Sequence, residues 1–147
     1  MAFEAKDETV GELLNKVVFS VPRNQRRYVW EKDNWDELLE DILFSCRSGK
    51  KAHFLGSIVL KDEGKKEGIA RYTIIDGQQR ITTITLILIA IMKLFVERKM
   101  QDEFLGTIDY VMTTNNRNQK MPILTSDYHL SCLLYTSDAA DDLIGVD

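Results

Sequence analysis

Hydrophobic and polar positions along the chain sort into a short series of elements. From Asp33 onward, Trp35, Leu38, Leu39, Ile42, Leu43 and Cys46 recur at the spacing of one helical face. Asp33 is an N-cap, Asp36 and Glu37 fall in the first turn, where the helix dipole favours acids, and Gly49 suits the C-terminal cap. Both tryptophans, Trp30 and Trp35, are expected to bury, and Cys46 to serve as a small core hydrophobe. Before this helix, "DETVGELLNK" (7–16) predicts a short helix capped by Asp7 or Thr9, and "VVFSVP" (17–22) a short strand stopped by Pro22. After it, "AHFLGSIVL" (52–60) and "IARYTIID" (69–76) predict two strands of an antiparallel hairpin, with the charged "KDEGKKEG" as the turn. Gly56, inside the first of these, marks a bulge or a close backbone approach. A helix apolar on nearly every side follows over Gln79–Lys99, as expected of an element at the centre of a domain. Beyond Gln101 the pattern weakens to a short segment, a polar turn and a strand. The order helix, strand, helix, hairpin, central helix predicts a mixed α+β domain and not a doubly wound sheet.

Composition changes this picture little. The chain has 147 residues, enough for one domain or a piece of a longer protein. Two cysteines, Cys46 and Cys132, give neither a disulfide framework nor a metal ladder. The start "MAFEAKDETV" lacks a basic, apolar signal pattern, so a cytoplasmic location is expected. The segment Ile81–Val96 is shorter than the ~20 residues of a span, carries Lys93 and three threonines, and reads as a buried helix with no membrane role. The four aspartates of the last 16 residues account for the whole net charge of −4. That tail, residues 132–147, resembles a translated sequencing-library adapter, position for position over "CLLYTSDAADD". The expectation is a truncated domain over 1–131 followed by a non-native tail, which is set aside from the fold argument.

The chemistry concentrates at the joint "YTIIDGQQRITT", between the second hairpin strand and the apolar helix. A helix start carries unpaired amides and a partial positive charge, which together attract anions and phosphate above all. Gly77 permits a positive φ and a close ligand approach. Arg80 adds a planar fork suited to phosphate, and Thr82 and Thr83 add hydroxyls. Asp76 is a candidate Mg²⁺ ligand or base, while Gln78 and Gln79 can orient a water or read a base edge. The plainer alternative is that Asp76 caps the helix, Gly77 makes the turn and Arg80 pairs with a surface acid. It accounts poorly for the paired glutamines.

A second polar cluster is "RNQRRYVW" (23–30), whose arginines and aromatics can bind phosphate and stack a base, or form a solvated loop anchored by its aromatics. The two histidines, His53 and His129, have no metal-ligand spacing, and neither a P-loop nor a G-x-S-x-G motif is present.

Three stretches, "VPRNQRRYVWEKDNWDELLEDI", "HFLGSIVL" and "IIDGQQRITTITLIL", are similar in order and spacing to the N-terminal domain of GmrSD-type restriction endonucleases. The hallmarks are DGQQR (Asp76–Arg80) and an upstream QR-x-Y-x-W segment (Gln25–Trp30), and the resemblance spans roughly residues 7–131. Arg23-Asn24 stands where the family often has tyrosine near the QR pair. The resemblance implies a ParB/sulfiredoxin-like α+β fold, NTP hydrolysis with Mg²⁺, and anti-phage restriction of modified DNA. It also implies that Gln25 and Arg26 join Gly77, Arg80, Thr82 and Thr83 in nucleotide binding, and that an HNH nuclease domain or partner subunit completes many relatives. A fragment of this kind can lack cutting activity. Two alternatives stay open: a ParB-like domain that itself nicks DNA, and a non-catalytic nucleotide or DNA sensor that regulates a nuclease.

Overall fold

The computed structural model describes residues 4–22, 29–49 and 53–125. The first helix, α1 (Val10–Leu13), begins at Thr9 and not at Asp7. The Thr9 hydroxyl accepts from the Glu12 amide at 3.1 Å, and the Glu12 carboxylate accepts from the Thr9 amide at 3.4 Å. This reciprocal box satisfies two donors that a helix start leaves unpaired. Strand β1 (Val17–Ser20) follows directly.

Helix α2 (Lys32–Ser48) is capped two residues earlier than expected. Glu31 takes the N-cap position, and its amide donates to the Asn34 side-chain oxygen at 3.0 Å, so Asp33 lies inside the first turn. Gly49 ends the helix in the left-handed conformation, φ 65°, as expected. The expected burial of its apolar stripe does not occur. Among α2 residues only Leu38 is fully buried, Trp35 is 44% exposed and Cys46 is exposed. The helix meets the body along a narrow line through Leu38, with Ile42 and Trp30 partly packed beside it. An apolar stripe records what a helix can cover, not how much of it this fold covers.

Strands β2 (Val59–Lys66) and β3 (Ile69–Asp76) form the expected antiparallel hairpin, but β2 lies later than its pattern suggested. Most of the charged stretch is strand, and the turn is Glu67-Gly68, with φ of 55° and 81°. Two successive positive φ values match the right-handed twist of the paired strands. The register slips between Asp62 and Lys65, at Gly64. β2 is an edge strand with residues 61–66 exposed, and charges on such an edge discourage pairing with other chains. That use of charge hid the strand.

Helix α3 (Gln78–Glu97) is followed by α4 (Gln101–Ile108), β4 (Met112–Thr114), β5 (Lys120–Pro122) and β6 (Leu124–Thr125). Four strands form one mixed sheet in the order β2-β3-β1-β6, with β1 parallel to both β3 and β6; β4 and β5 make a separate hairpin. The architecture is α+β, and it is consistent with a ParB-like fold.

Phe19, at the centre of β1, is fully buried with Ile74, Ile81, Ile84, Ile123 and Leu124. Further along α3, Ile89 and Met92 form a second cluster with Phe104, Ile108 and Val111. α3 is thus covered along one side: Ile91 and Leu94 are exposed, which corrects the expectation of burial all round. By length and composition α3 could cross a membrane, but its buried positions belong to these two clusters. Thr83 and Thr85 sit among them because each hydroxyl donates to the carbonyl four residues back, Gln79 at 2.8 Å and Ile81 at 2.9 Å. We predict that Phe19→Ala costs about 3–5 kcal/mol, read as a lowered urea midpoint with an unchanged m-value.

Candidate nucleotide corner

The parallel pairing of β1 with β3 sets Val17 opposite Ala70 and Ser20 opposite Thr73. The carboxyl ends of the two strands therefore lie side by side. The chain leaving β1 and the Asp76–Arg80 joint leaving β3 emerge at one edge of the sheet, although more than 50 residues separate Ser20 from Asp76. Carboxyl ends of parallel strands are where open α/β sheets place their ligands.

At the joint, Gly77 is the N-cap of α3 with φ 99°. A Cβ there would meet Ile58 Cγ1 at 3.0 Å and Ile58 Cα at 3.3 Å, so both conformation and space call for glycine. No side chain caps the helix at this residue, and the plainer reading of Asp76 as a cap does not hold. The first bond of the ladder runs from the Ile81 amide to the Gly77 carbonyl at 3.1 Å. The amides of Gln78, Gln79 and Arg80 thus have no acceptor within the helix.

The side chains divide into two groups. Asp76 is exposed and Gln78 half-buried, and neither has a side-chain hydrogen bond among the described residues. Thr82, half-buried, is likewise unbonded there. Thr83 is only 3% exposed and its hydroxyl is turned back to the Gln79 carbonyl, so it is not presented at the corner as expected. Gln79 also differs from expectation: its side-chain oxygen accepts from the backbone amides of Val29 at 2.9 Å and Trp30 at 3.3 Å. Gln25 and Arg26 lie outside the described residues, as do His129 and the 132–147 tail.

Arg80 is seated by a residue that carries no side chain. Its Nη1 donates to the Ser57 carbonyl at 3.2 Å, and its guanidinium lies over Gly56. A Cβ at Gly56 would stand 2.4 Å from Arg80 Cζ, and Gly56 has φ +127°. Of the two roles expected for Gly56, close approach is the one observed, and the approaching group is a guanidinium. Surface pairing of Arg80 with an acid is not seen; its remaining N–H donors have no protein acceptor among the described residues.

Arg80 also lines a cleft of about 100 Å³ with Trp30, Leu38 and Leu55 as apolar wall and Asn34, Glu37 and Asp41 as polar wall. Asp41 lies 3.5 Å from His53 Nε2. Ligand pockets run to about 300–1,000 Å³, so this cleft admits part of a nucleotide at most. Its carboxylates, Glu37 and Asp41, disfavour an anion inside the cleft. Asn34, Glu37 and Asp41 share one face of α2, a spacing visible in the sequence, but nothing there indicates that the face looks at Arg80.

Among the described residues no three His, Cys, Asp or Glu side chains gather to hold a metal ion. A single free carboxylate, Asp76, suits a Mg²⁺ that arrives on phosphate oxygens, since such ions keep most of their other ligands as water.

Comparison with known proteins adds one finding. The family model for the GmrSD restriction endonuclease N-terminal domain matches residues 10–142. That range covers both motif stretches and runs past Ser131 into the tail set aside above. No curated protein matches the chain.

Because of the contact over Gly56, we predict that Gly56→Ala destabilises the protein by about 1–3 kcal/mol, the range for a strained backbone conformation. In an Arg80→Ala background that cost falls by about 1 kcal/mol, since only the backbone term survives. A double-mutant cycle by chemical denaturation measures the difference; zero coupling would contradict the seat.

Proposed function

Because the chain belongs to the GmrSD restriction endonuclease N-terminal domain family, whose members are type IV-like restriction enzymes, we propose that its Asp76–Arg80 corner binds and hydrolyses a nucleoside triphosphate in the service of restricting modified DNA. The observation that carries this reading is the unspent polar capacity at one helix start. An exposed carboxylate without a hydrogen bond, a half-buried carboxamide and an anchored guanidinium with spare donors surround amides that lack helical partners. Surface acids and amides are commonly unbonded one at a time. Here they accompany an arginine whose position is fixed from below by Gly56 and Ser57.

In this reading the amides of Gln78–Arg80 and the Arg80 fork take the phosphates, helped by the Thr82 hydroxyl. Asp76 holds the divalent cation, which when bound neutralises phosphate charge. Gln78 orients the attacking water; an amide cannot take its proton, so Asp76 is also the nearest candidate for that task in sequence. Gln25 and Arg26, three to four residues before Val29, are assigned to nucleotide contacts by the family motif. Phosphoryl transfer asks mainly for positioning and charge stabilisation, and this set supplies both. Cleavage of DNA is assigned to a nuclease domain or partner subunit, and a cytoplasmic location fits that role.

The test is phosphate release and nucleotide binding by the intact protein and its Asp76→Ala and Arg80→Ala variants. Loss of an electrostatic contact to a transition state lowers turnover by about 100-fold or more, and we expect that for both. Asp76→Ala shifts stability by less than about 0.5 kcal/mol, as for exposed residues without partners. Wild-type turnover in both variants would overturn the assignment. Tight nucleotide binding with no phosphate release in the wild type would assign the corner to a sensor. Nicking of supercoiled plasmid by the isolated domain without nucleotide would assign it to DNA cleavage.

A further inference from the structure

Gln79 does something the motif does not announce. Its side-chain oxygen accepts from two consecutive backbone amides, Val29 at 2.9 Å and Trp30 at 3.3 Å. These partners stand 50 and 49 residues away in sequence. The glutamine is itself fixed, because it lies in the first turn of α3 and its carbonyl accepts the Thr83 hydroxyl at 2.8 Å. Trp30 packs against the core and lines the cleft beside Arg80, and Glu31, the next residue, is the N-cap of α2. One carboxamide thus ties the end of the Gln25–Trp30 segment to the start of the helix that carries Arg80.

We propose that Gln79 is a positioning residue, which clamps the Val29–Trp30 backbone to the start of α3 and so holds Trp30 beside Arg80 at the nucleotide corner. The proposal rests on the nucleotide reading above and gives Gln79 a role distinct from orienting water. Held in this way, Trp30 keeps its place in the wall of the cleft that Arg80 also lines, and Glu31 keeps its place as the N-cap of α2. The neighbouring Gln78, which has no such bond among the described residues, keeps its carboxamide for ligand or water. The two glutamines divide the work: one faces the ligand, the other fixes the chain that approaches it.

The chemistry makes the roles separable. A clamp needs an acceptor oxygen and nothing else from this bond, so Gln79→Glu keeps it while Gln79→Leu removes it. Hydrogen exchange, resolved by residue on the protein without nucleotide, reads the clamp directly. Steady-state NTP hydrolysis by the same variants reads its consequence. We expect Gln79→Leu to speed exchange at Val29 and Trp30 by about 10-fold or more, as for loss of a bond worth about 1.4 kcal/mol. Exchange at Phe19 and Ile74, in the sheet, stays at the wild-type rate and shows that the fold is intact. Gln79→Glu restores slow exchange at both amides. In hydrolysis, Gln79→Leu raises KM about 10-fold and leaves kcat within about threefold, because ground-state binding is lost and chemistry is not. Wild-type exchange at Val29 and Trp30 in Gln79→Leu overturns the clamp. Faster exchange with unchanged KM and a collapsed kcat overturns the positioning role and returns Gln79 to the water. If the wild-type protein binds no nucleotide, the nucleotide reading fails and the positioning role falls with it, while the exchange result still reports whether the bond exists.

Discussion

The parallel pairing of β1 with β3 is the constraint from which the rest follows. Phe19 lies opposite Tyr72 and Ser20 opposite Thr73, and Phe19 has no exposed surface. Parallel neighbours cannot be joined by a tight turn, so the chain must travel through α2 and β2 before it returns. In exchange, two segments far apart in sequence leave the sheet at the same edge. One leads through the Gln25–Trp30 motif to α2; the other turns at Gly77 into α3. An antiparallel arrangement would send them to opposite edges, and no local motif could then compensate.

The same constraint explains why polar residues gather where an apolar helix begins. The first half of α3 packs Ile81 and Ile84 on the sheet, and its second half packs Ile89 and Met92 on α4 and the residues that follow it. Those contacts hold the helix, and its start cannot drift from the end of β3. The amides of that start, which have no acceptor within the helix, are then held at a fixed distance from Asp76. Each neighbouring group has its own restraint: Ile58 behind Gly77, Gly56 and Ser57 beneath Arg80, and the backbone of Val29 and Trp30 on Gln79. Fixed donors and dipoles stabilise charge without reorganising when it appears, which is what phosphate chemistry requires of a protein.

Much of this was legible in the sequence and some was not, for identifiable reasons. The Thr9 cap, the stop at Gly49 and the strand–turn–helix joint at Asp76-Gly77 are set by local chemistry, and the structure places them where the residues suggest. The hairpin was legible but its register was not, because the charges of an edge strand and the bulge at Gly64 imitate a loop. α2 reads correctly as a helix and incorrectly as a buried one, since Trp35 and Cys46 obey a periodicity that says nothing about what lies opposite. Gln79 and Thr83 show the limit at the site itself. Both are of the right type for ligand contact, yet one is bonded to backbone 49 and 50 residues away and the other to a carbonyl one turn back. Residue type states what a group can bond; only the fold states what it already has. The contact between Gly56 and Arg80 had half a signal, an isolated glycine in an apolar run, with nothing to identify its partner.

The account stands or falls on whether this edge of the sheet is where a triphosphate sits. Amide chemical shifts followed during a titration with a nucleoside triphosphate and Mg²⁺ report that location without reference to turnover. The account predicts saturable shifts concentrated at Gly77–Arg80 and at Val29 and Trp30, with the β4–β5 hairpin undisturbed. Saturable shifts confined to that hairpin or to the far end of α3, with the Gly77–Arg80 amides unmoved, would contradict it.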